Sequence, residues 1–200
     1  MRTYRIHLIR HGLTDGNIKG QYIGRTDLPV TPEGVSELRL LKENLDYPFI
    51  ERLYCSPMLR CRQTANILFP DNEPHIIENL REYDFGDFEG KTALELEIDP
   101  AYADWTSGRS QCPPNGESND EFVKRLALAL NEIVRDMMNS GIHETAAVMH
   151  GGTIMTLLAA TALPRRHLTE WTTENGRGYT ILVDPSIYGR TGAVEVVDII

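Results

Sequence analysis

The sequence predicts an α/β protein of three layers (α/β/α), in which helices cover both faces of a mainly parallel, Rossmann-like sheet. Three observations favour this fold. Short apolar segments alternate with amphipathic helical segments along the chain. Two of the apolar segments, 4–9 and 145–149, lead into His-Gly pairs, as strands do when they open into a ligand crevice. The length of 200 residues fits one sizeable core, so we predict a single domain over residues 1–200.

Local patterns place the helices and strands in order. Thr31-Pro32-Glu33 favours a helix start, because Thr is a good N-cap, Pro suits the first turn and Glu faces the positive end of the helix dipole. Ser118 and Glu121 match a capping box ahead of a long apolar stripe. The predicted helices are Thr31–Asn44, one from Ser56-Pro57 to Leu68, Lys91–Asp104, one from Ser118 to Met137, and Thr153–Leu163. The predicted strands are Tyr4–Ile9, Arg52–Cys55, His75–Glu78, Thr145–Met149, Tyr179–Val183 and Ala193–Ile199.

Residues 83–117 interrupt this alternation. The segment contains glycines, several aromatic side chains and a proline-rich link over 108–116. We interpret it as a small cap insertion within the one domain.

Bulk composition narrows the possible partners and the compartment. A net charge of −9 argues against nucleic acid or an anionic membrane as the main partner. The three cysteines are odd in number and lack a Cys-x-x-Cys spacing, which favours a reducing cytoplasm. Neither a signal peptide nor a membrane-spanning apolar run is expected.

Polar side chains cluster just beyond the predicted strands, where parallel strands would bring them to one edge of the sheet. Arg is well shaped to grip a phosphoryl group, and an imidazole beside it can act as a nucleophile. The pattern therefore predicts a phosphate site that contains a nucleophile. The set comprises Arg10-His11-Gly12 with Thr14 and Asn17, then Arg60, Glu82 and His150-Gly151.

In this order the motifs resemble those of the histidine phosphatase superfamily, the phosphoglycerate-mutase-like proteins. The similar segments are Arg10–Gly12 with Thr14 and Asn17, Gly24–Thr31, Ser56–Ala65, Leu80–Glu82, Phe85–Gly90, Gly116–Ser118 and Met149–Gly152. Two positions depart from the family pattern: Leu13 stands where Glu is usual, and Cys61 where Ala is usual. Neither position is expected to touch phosphorus.

The resemblance implies that His11 forms a phosphohistidine, and that Glu82 protonates the leaving group and then activates water. Arg10, Arg60 and a protonated His150 would stabilise the equatorial oxygens of the transition state. Because the arginines supply positive charge, we expect no metal and no cofactor. The expected phosphate-binding set is Arg10, Gly12, Thr14, Asn17, Gly24, Arg25, Arg60, His150 and Gly151.

Three neighbouring residues have plainer interpretations. His7 lies inside the first strand and is expected to be a packed core histidine. Arg81 is expected to form a surface salt bridge. For Arg25 two roles stay open, contact with the substrate or bracing of its own loop.

We predict a phosphomonoester phosphatase acting on a small metabolite, most similar to the α-ribazole phosphatases. The alternative is a cofactor-dependent phosphoglycerate mutase, which needs extra cations for a second anionic group. Over 83–121 only Lys91 and Arg109 are basic, and several aromatic residues stand there instead. A non-catalytic phospho-ligand-binding protein is a weaker alternative, because the nucleophile and the acid are both present. A monomer and a homodimer are equally compatible with the sequence.

Overall fold

The computed structural model describes residues 3–45 and 47–200. The strands are β1 (Tyr4–Arg10), β2 (Arg52–Cys55), β3 (Pro74–Ile76), β4 (Glu144–Met149), β5 (Ala162–Leu163), β6 (Gly178–Val183) and β7 (Val194–Ile199). The helices are α1 (Asp15–Lys19), α2 (Pro32–Asn44), α3 (Leu59–Leu68), α4 (Pro100–Thr106), α5 (Asn119–Ser140), α6 (Gly151–Thr161) and α7 (Pro185–Thr191). Within the described residues, no helix is both long enough and apolar enough to cross a membrane.

The sheet is mainly parallel and has the strand order β3-β2-β4-β1-β6-β7-β5. β1 lies at its centre, parallel to β4 and antiparallel to β6. β2 is parallel to both β4 and β3. Because β1, β2 and β4 run in the same direction, their carboxyl ends meet at one edge of the sheet. The predicted α/β sheet is confirmed, with β6 as the strand of opposite direction.

Helices cover both faces of the sheet, which confirms the predicted three layers. On one face, α5 and α6 pack their apolar stripes against side chains such as Ile6, Leu8 and Met149. On the other face, α2 and α3 pack against Ile9 and Val148. Successive residues of a strand point to opposite faces, so each central strand supplies both cores.

Helix α5 shows how closely local signals can fix an element. The Ser118 hydroxyl accepts a hydrogen bond from the Glu121 N–H, and the Glu121 carboxylate accepts one from the Ser118 N–H. This confirms the predicted capping box. The helix ends at Gly141, whose φ of 68° is the left-handed conformation that glycine adopts without strain.

Several predicted boundaries were wrong. Helix α3 begins at Leu59 instead of Ser56, because the Ser56 hydroxyl bonds to His150 and does not cap the helix. The predicted helix Lys91–Asp104 is mostly turns, and α4 starts at Pro100 after the Asp99 cap. Helix α6 begins at Gly151 and ends at Thr161, two residues early at each end.

Candidate active site

The two His-Gly turns lie side by side at the carboxyl edge of the sheet. The backbone N–H of His11 donates to the carbonyl of Met149 at 2.9 Å, which extends the β1–β4 ladder by one residue. The rings of His11 and His150 have centroids 5.3 Å apart and planes inclined at 65°. The predicted meeting of the two imidazoles is confirmed.

His11 presents one unprotonated nitrogen to the site. Its Nδ1 lies 2.8 Å from the carbonyl oxygen of Gly12, which can only accept, so Nδ1 carries the proton and Nε2 keeps its lone pair. Burial, assisted by the nearby Arg60 guanidinium, lowers the pKa of His11 to about 3. The imidazole is therefore neutral and nucleophilic at physiological pH.

His150 is also neutral, which corrects the expectation that it is protonated. The Arg60 Nε donates to its Nδ1 at 3.2 Å, and its Nε2 lies 2.8 Å from the Ser56 hydroxyl. Complete burial and then the charge of Arg60 hold the pKa of His150 well below its usual range. A guanidinium that donates to Nδ1 leaves no place for a second imidazole proton.

Arg60 is held rigidly although it is charged and only 1% exposed. Besides the bond to His150, its two terminal nitrogens donate to the carbonyls of Thr26 at 2.9 Å and Gly24 at 3.0 Å. A guanidinium has five N–H groups, so one on each terminal nitrogen remains beyond these bonds. These two N–H groups of Arg60 can thus donate to two oxygens of a phosphoryl group.

Arg10 has a buried hydrogen-bond donor that is unsatisfied among the described residues. Its Nη1 donates to the Thr173 carbonyl at 2.6 Å. Its Nε is buried and, among the described residues, has no acceptor. A side chain at Gly151 would place its Cβ 3.3 Å from that Nε, so glycine keeps the approach open. An unsatisfied buried donor costs about 1–3 kcal/mol, which an anion bound there would relieve.

Asn17 is oriented by three donors. Its Oδ1 accepts from the Thr14 N–H at 3.1 Å, the Thr14 hydroxyl at 3.0 Å and the Asn175 amide at 3.3 Å. With the oxygen so engaged, the amino group of Asn17 is the side left to donate to an anion. Asn175 also donates to the His11 carbonyl at 2.8 Å, and nothing in the sequence motifs had pointed to it.

The glycines at positions 12 and 24 support other site residues. The N–H of Gly12 donates to the Thr64 hydroxyl at 2.8 Å, and a Cβ there would lie 2.6 Å from Leu38. The N–H of Gly24 donates to Glu89 at 2.8 Å, while its carbonyl holds Arg60. Both N–H groups are therefore engaged within the protein.

The structure also gives the contacts of Arg25, Arg81 and His7. The Arg25 guanidinium lies 3.1 Å from the Asp84 carboxylate, which favours the loop-bracing role. Arg81 pairs with Glu78 on the surface, as predicted. His7 is buried with its Nδ1 2.9 Å from the Thr180 hydroxyl, as predicted for a core histidine.

Glu82 is a buried carboxyl at the same edge. It is 7% exposed, and its two oxygens accept from the N–H groups of Tyr83 and Gly152, each at 2.9 Å. Burial raises the pKa of Glu82, while those two hydrogen bonds act in the opposite direction. A Cβ at Gly152 would lie 2.6 Å from the carboxylate, so a larger residue there would displace the Glu82 side chain. The group can hold a proton and release it.

A buried neutral imidazole, two arginines and a protonatable carboxyl form the kind of site expected of a phosphoryl-transfer enzyme that works through histidine. The sequence profile of the histidine phosphatase superfamily (branch 1) matches residues 6–186. The chain therefore belongs to the histidine phosphatase superfamily.

Individual relatives agree with this assignment. An adenosylcobalamin/alpha-ribazole phosphatase of Salmonella typhimurium is 30% identical over 178 residues, which cover 86% of this chain and 87% of that protein. A 2,3-bisphosphoglycerate-dependent phosphoglycerate mutase of Rhizobium etli is 29% identical over 162 residues, covering 75% and 76%. A mutant phosphoserine phosphatase of Entamoeba histolytica in complex with phosphoserine superposes with a TM-score of 0.80 at 27% identity, covering 98% and 96%. The predicted family, the phosphoglycerate-mutase-like fold and the class of phosphoric monoester hydrolase are confirmed.

Proposed function

We propose that this chain hydrolyses a small phosphomonoester without a metal, through a phosphohistidine on Nε2 of His11. One observation carries the proposal: a buried imidazole is held as the Nδ1–H tautomer, with its unprotonated Nε2 beside two arginines. The other neutral tautomer would leave its lone pair on Nδ1, facing the Gly12 carbonyl, where it could not attack a phosphoryl group. The arginines supply the positive charge that a metal would otherwise provide.

In the first step, Nε2 of His11 attacks phosphorus and the bond from phosphorus to the ester oxygen breaks. The unpartnered Nε of Arg10, the remaining N–H groups of Arg60 and the amide of Asn17 bind the equatorial oxygens. Glu82, whose pKa is raised, donates its proton to the departing alkoxide. The neutral His150 packs against the nucleophile and fixes the Arg60 fork.

In the second step, the Glu82 carboxylate takes a proton from water as the water oxygen attacks phosphorus. The bond from nitrogen to phosphorus breaks, so that neutral His11, protonated Glu82 and inorganic phosphate result. Each cycle therefore consumes one water and leaves the protein as it began.

Charge in the segment 83–117 favours hydrolysis over a mutase reaction. A mutase substrate carries a second anionic group that needs free cations. Of the two basic residues in this segment, Arg109 pairs with Asp104 at 2.7 Å, which leaves Lys91, and Arg25, which reaches this segment, pairs with Asp84. We propose that 83–117 acts as a cap over an uncharged leaving group.

The aromatic residues of the cap support a substrate with a flat or apolar leaving group. Tyr83 and Phe88 are buried core residues, but Phe85 and Trp105 are only partly buried, as is Tyr22, which packs against both of them from outside the cap. Of the substrates that the relatives' names give, α-ribazole phosphate fits such a leaving group, whereas phosphoserine, whose leaving group is charged, fits it less well. The three cysteines are free thiols, which supports work in a reducing cytoplasm.

The test is release of inorganic phosphate from a panel of phosphomonoesters in EDTA, with wild type beside His11→Ala. The panel contains α-ribazole phosphate, phosphoserine, nucleoside monophosphates and 3-phosphoglycerate. We expect turnover by wild type and by the exposed-site control His75→Ala, and none by His11→Ala. Equal turnover by His11→Ala would refute the mechanism. Faster conversion of 3-phosphoglycerate into 2-phosphoglycerate than into free phosphate would establish the mutase.

A further inference from the structure

Arg125, on helix α5, holds the chain segment that carries Glu82. Its Nη1 donates to the carbonyls of Asn79 at 2.9 Å and Arg81 at 2.7 Å, and its Nη2 donates to the carbonyl of Glu82 at 2.9 Å. Three backbone acceptors within four residues are thereby fixed by one side chain. Its role lies outside the phosphate site, and the sequence motifs did not point to it.

Arg125 is itself anchored on two sides. Its Nε and Nη2 donate to the two oxygens of Glu117 at 2.6 and 2.9 Å, and both side chains are largely buried. Its guanidinium carbon lies 4.6 Å from the centre of the Phe122 ring, within range of a cation–π contact. The carboxylate of Glu117 offsets the charge of Arg125, so the guanidinium serves mainly as a rigid hydrogen-bonding fork.

The backbone and the side chain of Glu82 are therefore held by two different helices. Arg125 fixes its backbone from α5, while the N–H of Gly152 at the start of α6 fixes its carboxylate at 2.9 Å. A general acid must meet the leaving oxygen within hydrogen-bond reach, and a displacement of about 1 Å can cost about a hundredfold in rate.

We propose that Arg125 is a positioning residue for Glu82: its fork holds the backbone of residues 79–82 so that the carboxyl meets the leaving oxygen. The inference rests on the proposed function, in which Glu82 is the general acid. Arg125 acts through the backbone and does not touch the reacting atoms. Lysine keeps the charge but lacks the planar fork, so Arg125→Lys removes the positioning with little change in net charge.

The test compares leaving groups of different basicity. A good leaving group such as p-nitrophenolate departs without help, whereas an alkoxide needs the proton from Glu82. The value of kcat/KM reports only the steps up to phosphoryl transfer, so later hydrolysis of the phosphohistidine does not mask the effect. In Arg125→Lys we expect kcat/KM for an alkyl phosphate to fall about 10- to 100-fold, but for p-nitrophenyl phosphate less than about threefold.

Three further variants make the result decisive. Glu82→Gln should show the same selective loss, and adding Arg125→Lys to it should not enlarge the loss further. Glu117→Gln, which loosens the anchor of Arg125, should give a smaller loss of the same kind. Arg135→Lys, a matched exchange at an exposed position of α5, should behave as wild type.

The outcomes distinguish the positioning role of Arg125 from the general-acid role of Glu82. Equal losses for both esters in Arg125→Lys, with a selective loss in Glu82→Gln, would mean that Arg125 only stabilises the fold. A Glu82→Gln variant without selective loss would overturn the role of Glu82 itself. Circular dichroism and thermal unfolding identify any variant that does not fold, and Glu117→Gln then decides the question.

Discussion

At the end of β1, His11 has one nitrogen bonded to a backbone carbonyl and the other open to the site. At the end of β4, His150 has both nitrogens engaged, one by Arg60 and one by Ser56. The two turns share the His-Gly sequence, lie on neighbouring parallel strands and are almost fully buried. Their different chemistry comes entirely from their hydrogen-bond partners.

The comparison shows that a histidine at a strand end has no fixed role. A carbonyl partner at Nδ1 makes Nε2 a nucleophile, whereas a guanidinium donor at Nδ1 makes the ring a support for that guanidinium. In both turns burial lowers the pKa of the imidazole, so both rings are neutral at physiological pH. The sites differ in which lone pair stays available.

The largest expected effect is on formation of the phosphoenzyme, when each of the two imidazole rings is removed in turn. His11→Ala should form no phosphoenzyme, because no nucleophile remains, with turnover reduced by at least about 10⁴-fold. His150→Ala should still form it, but about 10²- to 10³-fold more slowly, since the Arg60 fork loses its support. Rapid quenching into alkali, which preserves phosphohistidine, measures labelled phosphate on the protein.

The prediction would be contradicted if His11→Ala formed as much phosphoenzyme as wild type. It would also be contradicted by a complete absence of phosphoenzyme in a folded His150→Ala protein. The second outcome would give His150 the role proposed for His11.

The next effect concerns stability at low pH. Folded His11 has a pKa of about 3, against 6.5 in the unfolded chain, so between these values only the unfolded chain binds the proton. The free energy of unfolding therefore falls as pH drops from 6.5 toward 3, by about 2 kcal/mol at about pH 5 for this one residue. His11→Gln does not titrate and should lose about 2 kcal/mol less than wild type between about pH 7.5 and about pH 5.

Urea unfolding at the two pH values measures this difference. His150 is present in both proteins and contributes in the same direction to each, so the comparison isolates His11. An identical pH dependence in wild type and His11→Gln would show that the imidazole of His11 is not buried as a neutral group.

The smallest expected effect is on kcat/KM, when the hydrogen-bond partners of His150 Nε2 are changed. Ser56→Ala removes the acceptor of the Nε2 proton, and leaving that donor unsatisfied should lower kcat/KM about tenfold. The Sγ of Cys61 also lies 3.6 Å from Nε2, but sulfur is a weak acceptor and Ala is usual there in the family. Cys61→Ala should therefore stay within about twofold of wild type. Equal effects of the two variants would show that the hydroxyl does not orient the ring.

Much of this protein could be predicted from the sequence, because its strongest signals are local. The apolar period of α5, its Ser118 cap and the apolar runs of β1 and β4 each specify an element without distant partners. The motif spacing indicated His11, Arg10, Arg60, Glu82 and His150, and the structure brings them to one edge. The errors came where a distant contact competes, as at Ser56, whose hydroxyl turns to His150 instead of capping α3.

The sequence by itself determined the fold class, the family and the residue types at the site, since these follow from periodicity and ordered motifs. Only the tertiary structure decided how those residues act. It showed that Arg60 donates to Nδ1 of His150, that Gly12 and Gly24 bond to Thr64 and Arg60, and that Asn175 and Arg125 donate to the backbone carbonyls of His11 and Glu82. The physical reason is that protonation and orientation depend on partners far away along the chain: Arg60 and His150 are separated by 90 positions, and Asn175 and His11 by 164.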